Sequence, residues 1–311
     1  MAAIARGSGG GTCQTVGTAL ESLSGERMAV YGLGRIPSPR DPRDHSLASH
    51  APDVAASTPP GSYAPRYLWT VLDQGQTPRC VGYSGALGRQ IESMLEEREA
   101  LLFDADDLYA ECKKLDGSPN TDGTYVRVAC QVLKNEGGLV KQVLAGLTPE
   151  QARAHARSLA LAAAERADLP TSIATFLDWL ESTHRRRPHA PKPAPAPAPA
   201  HVGSRLKIAA YSRLSSIVEI KQAIAAYGDA WIGSPWANSW FEPGSDGTLP
   251  PADQPAGGHA YKFVGYDDTR GAFLLQNSWG SSWGLLGHAW MPYSYVLLTD
   301  TTEWEAWETF S

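Results

Sequence analysis

The sequence predicts an α+β fold, because two regions of the chain carry different hydrophobic patterns. Residues 62–147 contain successive runs with the spacing of amphipathic helices, and the first long run begins at Cys80. Residues 204–311 contain clusters of aromatic and β-branched residues between glycine turns, which is typical of an antiparallel sheet. A cysteine in the helical half and a histidine in the β half together predict a functional site in the cleft between the halves.

Composition excludes several classes of partner. The chain has 311 residues, of which 42% are hydrophobic and 19% charged, with a formal net charge of −6. No basic field covers the chain, so nucleic acid is not expected as a partner. No run approaches the ~20 apolar residues of a membrane helix, and the first residues lack the apolar core of a secretory signal. Four cysteines are too few for a disulfide scaffold, so we expect a cytoplasmic or other reducing compartment, and no metal or cofactor.

Three helices are predicted in the first half. The first covers about 80–100, with apolar residues on one face and acids and arginines on the other. The second lies within 103–117 and begins with an aspartate cap. The third covers about 125–135 and ends at a glycine pair.

Two further regions flank or interrupt these halves. Residues 1–61 are predicted to be a partly extended N-terminal extension, since prolines punctuate 36–46. Residues 148–203 contain an alanine-rich helix, a second amphipathic helix and then alternating prolines, which exclude helix and sheet. We interpret this block as an insertion that a short linker could replace and that could contact a protein partner.

The second half is predicted to begin with a strand within 205–214 and a capped helix within 215–229. The strands that follow are expected within DAWIGSPW (229–236), HAYKFVGYDD (259–268), AFLLQNSWG (272–280) and HAWMPYSYV (288–296).

Cys80 is the candidate nucleophile. A free cysteine is more often a small buried hydrophobe, so the residue type alone predicts little. Gln74, however, precedes it by six residues across a glycine-containing turn. Acyl transfer needs two donors directed at the developing oxyanion, and the Gln74 amide and the Cys80 backbone N–H would supply them. A helix that begins at the cysteine would also stabilise the thiolate.

His259 and Asn277 are the candidate partners of the cysteine. His259 follows a glycine pair and leads into a strand-like run, so it would take the thiol proton. His288 is a weaker candidate in the same half. Asn277 would hold the other imidazole nitrogen, as the third member of a triad. Trp279 would shield that hydrogen bond from water, although a tryptophan there is also compatible with a purely structural role.

These stretches together resemble the papain family of cysteine peptidases. His259 lies 179 residues and Asn277 197 residues after Cys80. Both intervals exceed the ~130–150 residues usual in that family by about the same ~45–50 residues. The block at 148–203 lies between them and has the size to account for the excess. The resemblance covers about 62–147 and 204–296.

The resemblance implies a cysteine endopeptidase that cleaves protein or peptide substrates through a thioester. Cys80 would attack, His259 would relay the proton, Asn277 would orient the ring, and Gln74 would help to bind the oxyanion. The remaining candidates, for the substrate cleft, are Asp122, Gly123, Gly258, Trp279 and Trp283.

Several positions depart from the family pattern. Thr77 stands where a cysteine is usual, Val81 where a tryptophan is usual, and TDGTY at 121–125 replaces a Gly-Cys-Asn-Gly-Gly strip. We therefore expect no structural disulfide. Secreted relatives carry an inhibitory prosegment, whereas residues 1–35 are too poor in apolar residues to dock stably across a cleft, so no cleaved propeptide is expected.

Two alternatives stay open. One is a catalytically silent papain-like module that uses the cleft only for binding. The other is a different Cys-His acyl-transfer enzyme, of the transglutaminase or cell-wall amidase type.

Overall fold

Most of the described α-helices precede residue 136, and most of the strands follow residue 200. The computed structural model describes residues 31–65, 71–97, 101–143, 171–185, 201–299 and 302–311. The α-helices are α1 (Leu47–His50), α2 (Pro52–Ala55), α3 (Cys80–Glu92), α4 (Ala105–Leu115), α5 (Val126–Asn135), α6 (Thr171–Arg185) and α7 (Ile217–Tyr227). The strands are β1 (Arg35–Ile36), β2 (Ser62–Tyr63), β3 (Leu101–Phe103), β4 (Thr124–Tyr125), β5 (Gly138–Val143), β6 (Arg205–Leu206), β7 (Ala210–Leu214), β8 (Ala230–Ala237), β9 (Pro255–Asp267), β10 (Ala272–Gln276), β11 (His288–Pro292) and β12 (Glu305–Phe310).

The β half is one antiparallel sheet with β9 near its centre. Its strand order is β11-β10-β9-β8-β12-β7, and β2 adds a short pairing to β9. His259 lies on β9 opposite Ser234 of β8. Asn277 follows the last residue of β10, the other neighbour of β9. The fold is therefore α+β as predicted. Because β9 and β10 are antiparallel neighbours, His259 near the start of β9 and Asn277 just after β10 lie at the same end of these strands.

Capping explains where several helices begin and end. The Asp104 carboxylate accepts hydrogen bonds from the backbone N–H groups at 106 and 107, which confirms the predicted aspartate cap of α4. The Ser216 hydroxyl accepts from the Glu219 N–H at the start of α7, and Gly228 ends that helix with a φ of 97°. These local signals are strong enough to be recognised from the sequence.

Helix α3, which begins at Cys80, is more deeply buried than its pattern predicts. A Cβ at Gly85 would lie 2.6 Å from Leu108 of α4 and 2.7 Å from Trp231 of β8, so glycine permits close packing on both sides. Arg89 and Glu92, expected on an exposed face, are 1% and 2% exposed and form a buried ion pair. The expectation of a solvated charged face was wrong, because β12 and the C-terminal Ser311 cover it.

Helix α6 is part of the core and not a detachable addition. Phe176 and Leu180 are buried in a cluster with Ile91 of α3 and with Leu274 and Trp290 of the sheet. The expectation that the 148–203 block does not cover core was wrong for this helix. The predicted alanine-rich helix, most of the proline-rich stretch and any partner surface on them lie outside the described residues.

The described helices include none with the length and apolar character needed to cross a membrane.

Candidate active site

His259 and Asn277 form a buried hydrogen-bonded pair. The His259 Nε2 lies 2.8 Å from the Asn277 Oδ1, and both residues are buried. The same oxygen accepts a 2.8 Å hydrogen bond from the Ser278 backbone N–H, which identifies it as the acceptor. His259 Nε2 is therefore the donor, and the neutral ring carries its lone pair on Nδ1. That nitrogen is buried and makes no hydrogen bond.

Cys80 begins α3 close to the strand that carries His259, but no hydrogen bond joins its sulfur to the His259 Nδ1. Its side chain is fully buried, and the backbone N–H of Ala260, the residue after His259, contacts the sulfur. Burial raises the pKa of Cys80 to about 12, although the backbone N–H groups of Ala260, Val81 and Arg35 act in the opposite direction. Burial likewise lowers the pKa of His259 to about 4, against the effect of its bond to Asn277. In this state both groups are neutral, Cys80 as a thiol and His259 as an imidazole.

Two tryptophans enclose the imidazole. Trp279 stacks on the His259 ring with centroids 4.5 Å apart, and Trp236 meets it edge-on at 4.9 Å. Trp279 thus lies where the sequence placed a shield over the His259–Asn277 bond. Trp283 packs edge-on against Trp279 at 5.5 Å and is itself buried, so it supports the shield from behind.

Gln74 lies in the same network, with its amide fully occupied. Its Oε1 accepts a 2.6 Å hydrogen bond from the Ser278 hydroxyl. Its Nε2 donates to the backbone oxygens of Gly32 at 3.0 Å and Thr77 at 2.8 Å. An oxyanion could therefore be bound by this amide only after Gly32 moves away.

Residues 31–36, here termed the cleft segment, lie across the predicted site. The Gly34 N–H donates to the Gly258 oxygen at 3.0 Å, and the Gly34 oxygen accepts from the Thr124 N–H at 2.9 Å. Tyr31 stacks on Trp279 with centroids 4.7 Å apart. The segment thus spans from Thr124 in the helical half to Gly258 in the β half, and the Arg35 backbone N–H contacts the Cys80 sulfur.

The close approach of the cleft segment depends on glycine. A Cβ at Gly32 would lie 2.1 Å from the Thr77 oxygen, and one at Gly34 would lie 2.2 Å from the Pro78 oxygen. Facing glycines are equally constrained, since a Cβ at Gly258 would lie 2.1 Å from the Arg35 oxygen. No other residue type fits at these positions without moving the backbone.

Arg35 extends from the cleft segment into a buried pocket. Its Nε donates to the Glu305 Oε1 at 2.8 Å, and its Nη2 lies 2.7 Å from the same oxygen. A further bond runs from Nη2 to the Glu303 backbone oxygen. Both side chains of the Arg35–Glu305 pair are 1% exposed.

The expectation that the N-terminal extension could not dock across a cleft was wrong. It was based on apolar area, whereas the cleft segment is attached mainly by backbone hydrogen bonds and one ion pair. Whether this segment is cleaved stays a prediction.

Of the other residues predicted to line the substrate cleft, three contact the cleft segment and one lies beside a contacting residue. Gly123, with a φ of 84°, approaches the Gly34 oxygen so closely that a Cβ would lie 2.2 Å from it. Gly258 and Trp279 also contact the cleft segment. Asp122 is exposed beside Gly123.

His288, the weaker candidate base, is held elsewhere. Its Nδ1 lies 3.0 Å from the Leu286 oxygen, and its ring packs against Phe176 of α6 with centroids 5.6 Å apart. His288 thus begins β11 opposite Gln276, close to Asn277 along the backbone, but its side chain contacts Leu286 and Phe176 and not Asn277.

Four residues of the site were not predicted from the sequence. Ser278 and Trp236 orient Gln74 and the imidazole, while Arg35 and Glu305 fill the pocket. The alternating glycines of GLGR (32–35) before a proline were the available signal for an extended backbone in close contact. A glutamate between two tryptophans of WEAWE (304–308) was the signal for Glu305.

The solved structures that this chain resembles share one fold. No family profile matches the chain. A stretch of 44 residues is 50% identical to an uncharacterized peptidase C1-like protein of Acanthamoeba polyphaga mimivirus, but this covers only 14% of either protein. Xylellain, a cysteine protease from Xylella fastidiosa, is 22% identical with a TM-score of 0.61, over 92% of this chain and 98% of that one.

A second solved structure agrees with the first. Procathepsin B S9 from Trypanosoma congolense is 13% identical with a TM-score of 0.57, over 91% of this chain and 86% of that one. At these identities the likeness establishes architecture, and the activity has to be argued from the site. The chain has the fold of the papain-like cysteine proteases.

Proposed function

We propose that the protein is a cysteine endopeptidase that hydrolyses peptide bonds through a thioester intermediate. The observation that carries the proposal is the 2.8 Å bond from His259 to Asn277, which leaves the imidazole Nδ1 without a partner on the strand whose next residue, Ala260, contacts the Cys80 sulfur. A base held in one tautomer by a third group, next to a nucleophile, is the arrangement that acyl transfer requires.

Acylation would begin when the Cys80 thiol proton moves to His259 Nδ1. The sulfur attacks the substrate carbonyl carbon, and the oxygen takes up the negative charge. The Cys80 N–H, at the first position of α3 where no intrahelical acceptor exists, and the Gln74 amide would bind that oxygen. Collapse breaks the C–N bond, and the imidazolium donates its proton to the leaving amine.

Deacylation would use the same groups in reverse. A water molecule gives a proton to His259 and attacks the thioester carbonyl. Loss of the Cys80 sulfur releases the carboxylic acid, and the proton returns to the thiolate or remains on the imidazolium. Asn277 holds the ring throughout and does not itself react.

The covered form described above would be latent. The cleft segment holds Gln74 through the Gly32 oxygen and buries Cys80, so neither donor nor nucleophile is open to a substrate. We therefore propose that activity requires displacement of residues 31–36.

The test uses the full chain with Gly34→Leu, which places side-chain atoms where Pro78 lies and so displaces the segment. We expect a peptidyl vinyl sulfone to modify Cys80, mapped by mass spectrometry, and peptide hydrolysis to appear with it. Gly34→Leu combined with Cys80→Ala is the matched control and should show neither.

Two results would contradict the proposal, and each would support one of the alternatives. An opened variant that leaves Cys80 unmodified and hydrolyses no peptide would support the silent binding module. Hydrolysis replaced by transfer of the acyl group to an added primary amine would support a transglutaminase-type enzyme.

We also propose a reducing compartment. Cys80, Cys112 and Cys130 are free thiols, and burial raises the pKa of Cys112 and of Cys130. A count of four thiols in denatured, unreduced protein is expected, and a count of two would contradict the proposal.

A further inference from the structure

The pocket that holds Arg35 has the construction of a specificity site. Glu305 on β12 forms its floor, and the facing residue on β8 is Gly233. A Cβ at Gly233 would lie 2.8 Å from the Arg35 Nε and 2.9 Å from the Glu305 Cγ. The pocket therefore exists only because position 233 has no side chain.

Glu305 is fixed in place independently of Arg35. Its Oε2 accepts a 2.9 Å hydrogen bond from the Trp307 indole N–H, while its Oε1 accepts from the Arg35 Nε at 2.8 Å and from the Ser38 backbone N–H at 3.4 Å. The Arg213 guanidinium lies over the Trp307 ring, 5.3 Å from its centroid. Removal of Arg35 would thus leave a preformed carboxylate at the base of an open pocket.

A buried carboxylate of this kind favours a cation over any neutral side chain. The acceptors are the Glu305 Oε1 and the Glu303 backbone oxygen, and Arg35 reaches them with Nε and Nη2 together. A guanidinium offers those donors in a rigid fork, whereas a lysine ammonium is a single point charge. The arrangement therefore favours arginine over lysine as well as over apolar residues.

The pocket opens beside the nucleophile. The backbone N–H of Arg35 contacts the Cys80 sulfur, so the side chain in the pocket belongs to the residue that lies at the thiol. A substrate residue next to the scissile bond would reach the same pocket.

We propose that Glu305 and Gly233 form a substrate pocket that selects an arginine side chain near the scissile bond, and that Arg35 occupies it in the covered form as an internal competitor. This inference rests on the proposed peptidase function. It assigns the substrate class as peptides with arginine at one of the two residues before the cleaved bond.

The test uses full-length protein with Gly34→Leu and Arg35→Ala, which displaces the segment and empties the pocket. The substrates are nine acylated dipeptide aminomethylcoumarins, with arginine, lysine or leucine at each of the two positions. At one of the two positions, we expect kcat/KM of the arginine substrate to exceed that of the leucine substrate by at least about 30-fold, with the lysine substrate between them.

Glu305→Gln in the same background should reduce the arginine-to-leucine ratio to within about threefold of unity, mainly through a loss of kcat/KM on the arginine substrates. Glu308→Gln is the matched control, since Glu308 is equally buried on β12 and should leave the ratio unchanged. An unchanged ratio with Glu305→Gln, or an equal loss on all nine substrates, would overturn the proposal.

A binding measurement separates this inference from the proposed function. Cys80→Ala added to the opened variant can be titrated calorimetrically with the arginine-containing and leucine-containing dipeptide amides. We expect arginine to bind at least about 30-fold more tightly, and Glu305→Gln to remove the difference. Equal affinities would refute the pocket. Tight arginine binding without Cys80 labelling or hydrolysis in the parent would refute only the peptidase.

Discussion

The cleft segment and helix α6 are both attached to the papain-like fold, but by opposite kinds of interaction. The segment is held by backbone hydrogen bonds, such as Gly34 to Gly258, and by the Arg35–Glu305 pair. Helix α6 is held by Phe176 and other apolar side chains buried against the sheet. Water and a substrate can replace polar bonds one for one, whereas exposing a large apolar side chain costs about 1.5–3 kcal/mol. The first attachment is therefore suited to release and the second to permanence.

The largest expected effect is on the reactivity of Cys80. The thiol has a pKa of about 12 under the segment because of burial, so very little thiolate exists at pH 7. Displacement by Gly34→Leu should return the thiol toward ordinary behaviour and accelerate alkylation by iodoacetamide about 100–1000-fold. The rate constant is measured by mass spectrometry of the Cys80 peptide.

Gly61→Leu is the control for this change, because a Cβ there would meet only the Asp268 carboxylate at 4.0 Å. Equal rates in the two variants would show that the cleft segment does not limit access to the thiol.

Gln74→Ala tests whether the segment and a substrate compete for the same donor. In the Gly34→Leu background we expect kcat to fall about 100–1000-fold with little change in KM, since an oxyanion donor acts mainly in the transition state. In the wild-type chain the same substitution removes the Gly32 bond, so alkylation of Cys80 should become faster. A rise in KM at constant kcat would instead make Gln74 a substrate-binding residue.

Substitutions in helix α6 should change the stability of the fold and not the reactivity of Cys80. Phe176→Ala is expected to lower the free energy of unfolding by about 3–5 kcal/mol, measured with denaturant, and to leave the alkylation rate of Cys80 unchanged. Asp178→Ala, on the exposed face of the same helix, should change stability by less than about 0.5 kcal/mol. A Phe176→Ala variant with wild-type stability would show that the helix does not contribute to the core.

The features that the sequence could predict differ from those that it could not in the range of the interactions that determine them. The capped helices, the antiparallel sheet and the set of Cys80, His259 and Asn277 each carry a local signal, whether a cap residue, an alternation or a glycine-flanked histidine. Such signals come from short-range physics that neighbouring residues determine. They were therefore accessible before the structure.

The cleft segment and the burial of α3 depend on contacts between residues far apart in the chain. Arg35 pairs with Glu305, and Arg89 is covered by Ser311. Neither residue has a sequence environment that distinguishes it from a solvated arginine. The apolar content of residues 1–35 was also a poor guide, because the segment is attached through its backbone, and backbone groups are the same in every sequence.

The smallest effect, and the last prediction, is a pH dependence of segment opening. In a Cys80→Ala chain, His259 is the group that changes charge in the site. Burial lowers its pKa to about 4 in the covered form, against an ordinary value of 6.5. Opening therefore takes up a proton between pH 6.5 and 4, so the covered form loses stability as the pH falls through that window. Hydrogen-exchange protection of the Gly34 N–H, corrected for intrinsic rates, should fall by up to about tenfold per pH unit.

The wild-type chain should show a much flatter profile, and the reason lies in the number of protons. The covered form holds a thiol and a neutral imidazole, which together carry two protons, one on the sulfur and one on Nε2. An open form with a thiolate and an imidazolium carries the same two. Opening then exchanges no proton with solvent near neutral pH. Equal slopes in the two chains would mean that the open site forms no ion pair. The Leu180 N–H of α6 should show no slope in either chain, and His259→Gln should abolish the slope in the Cys80→Ala chain.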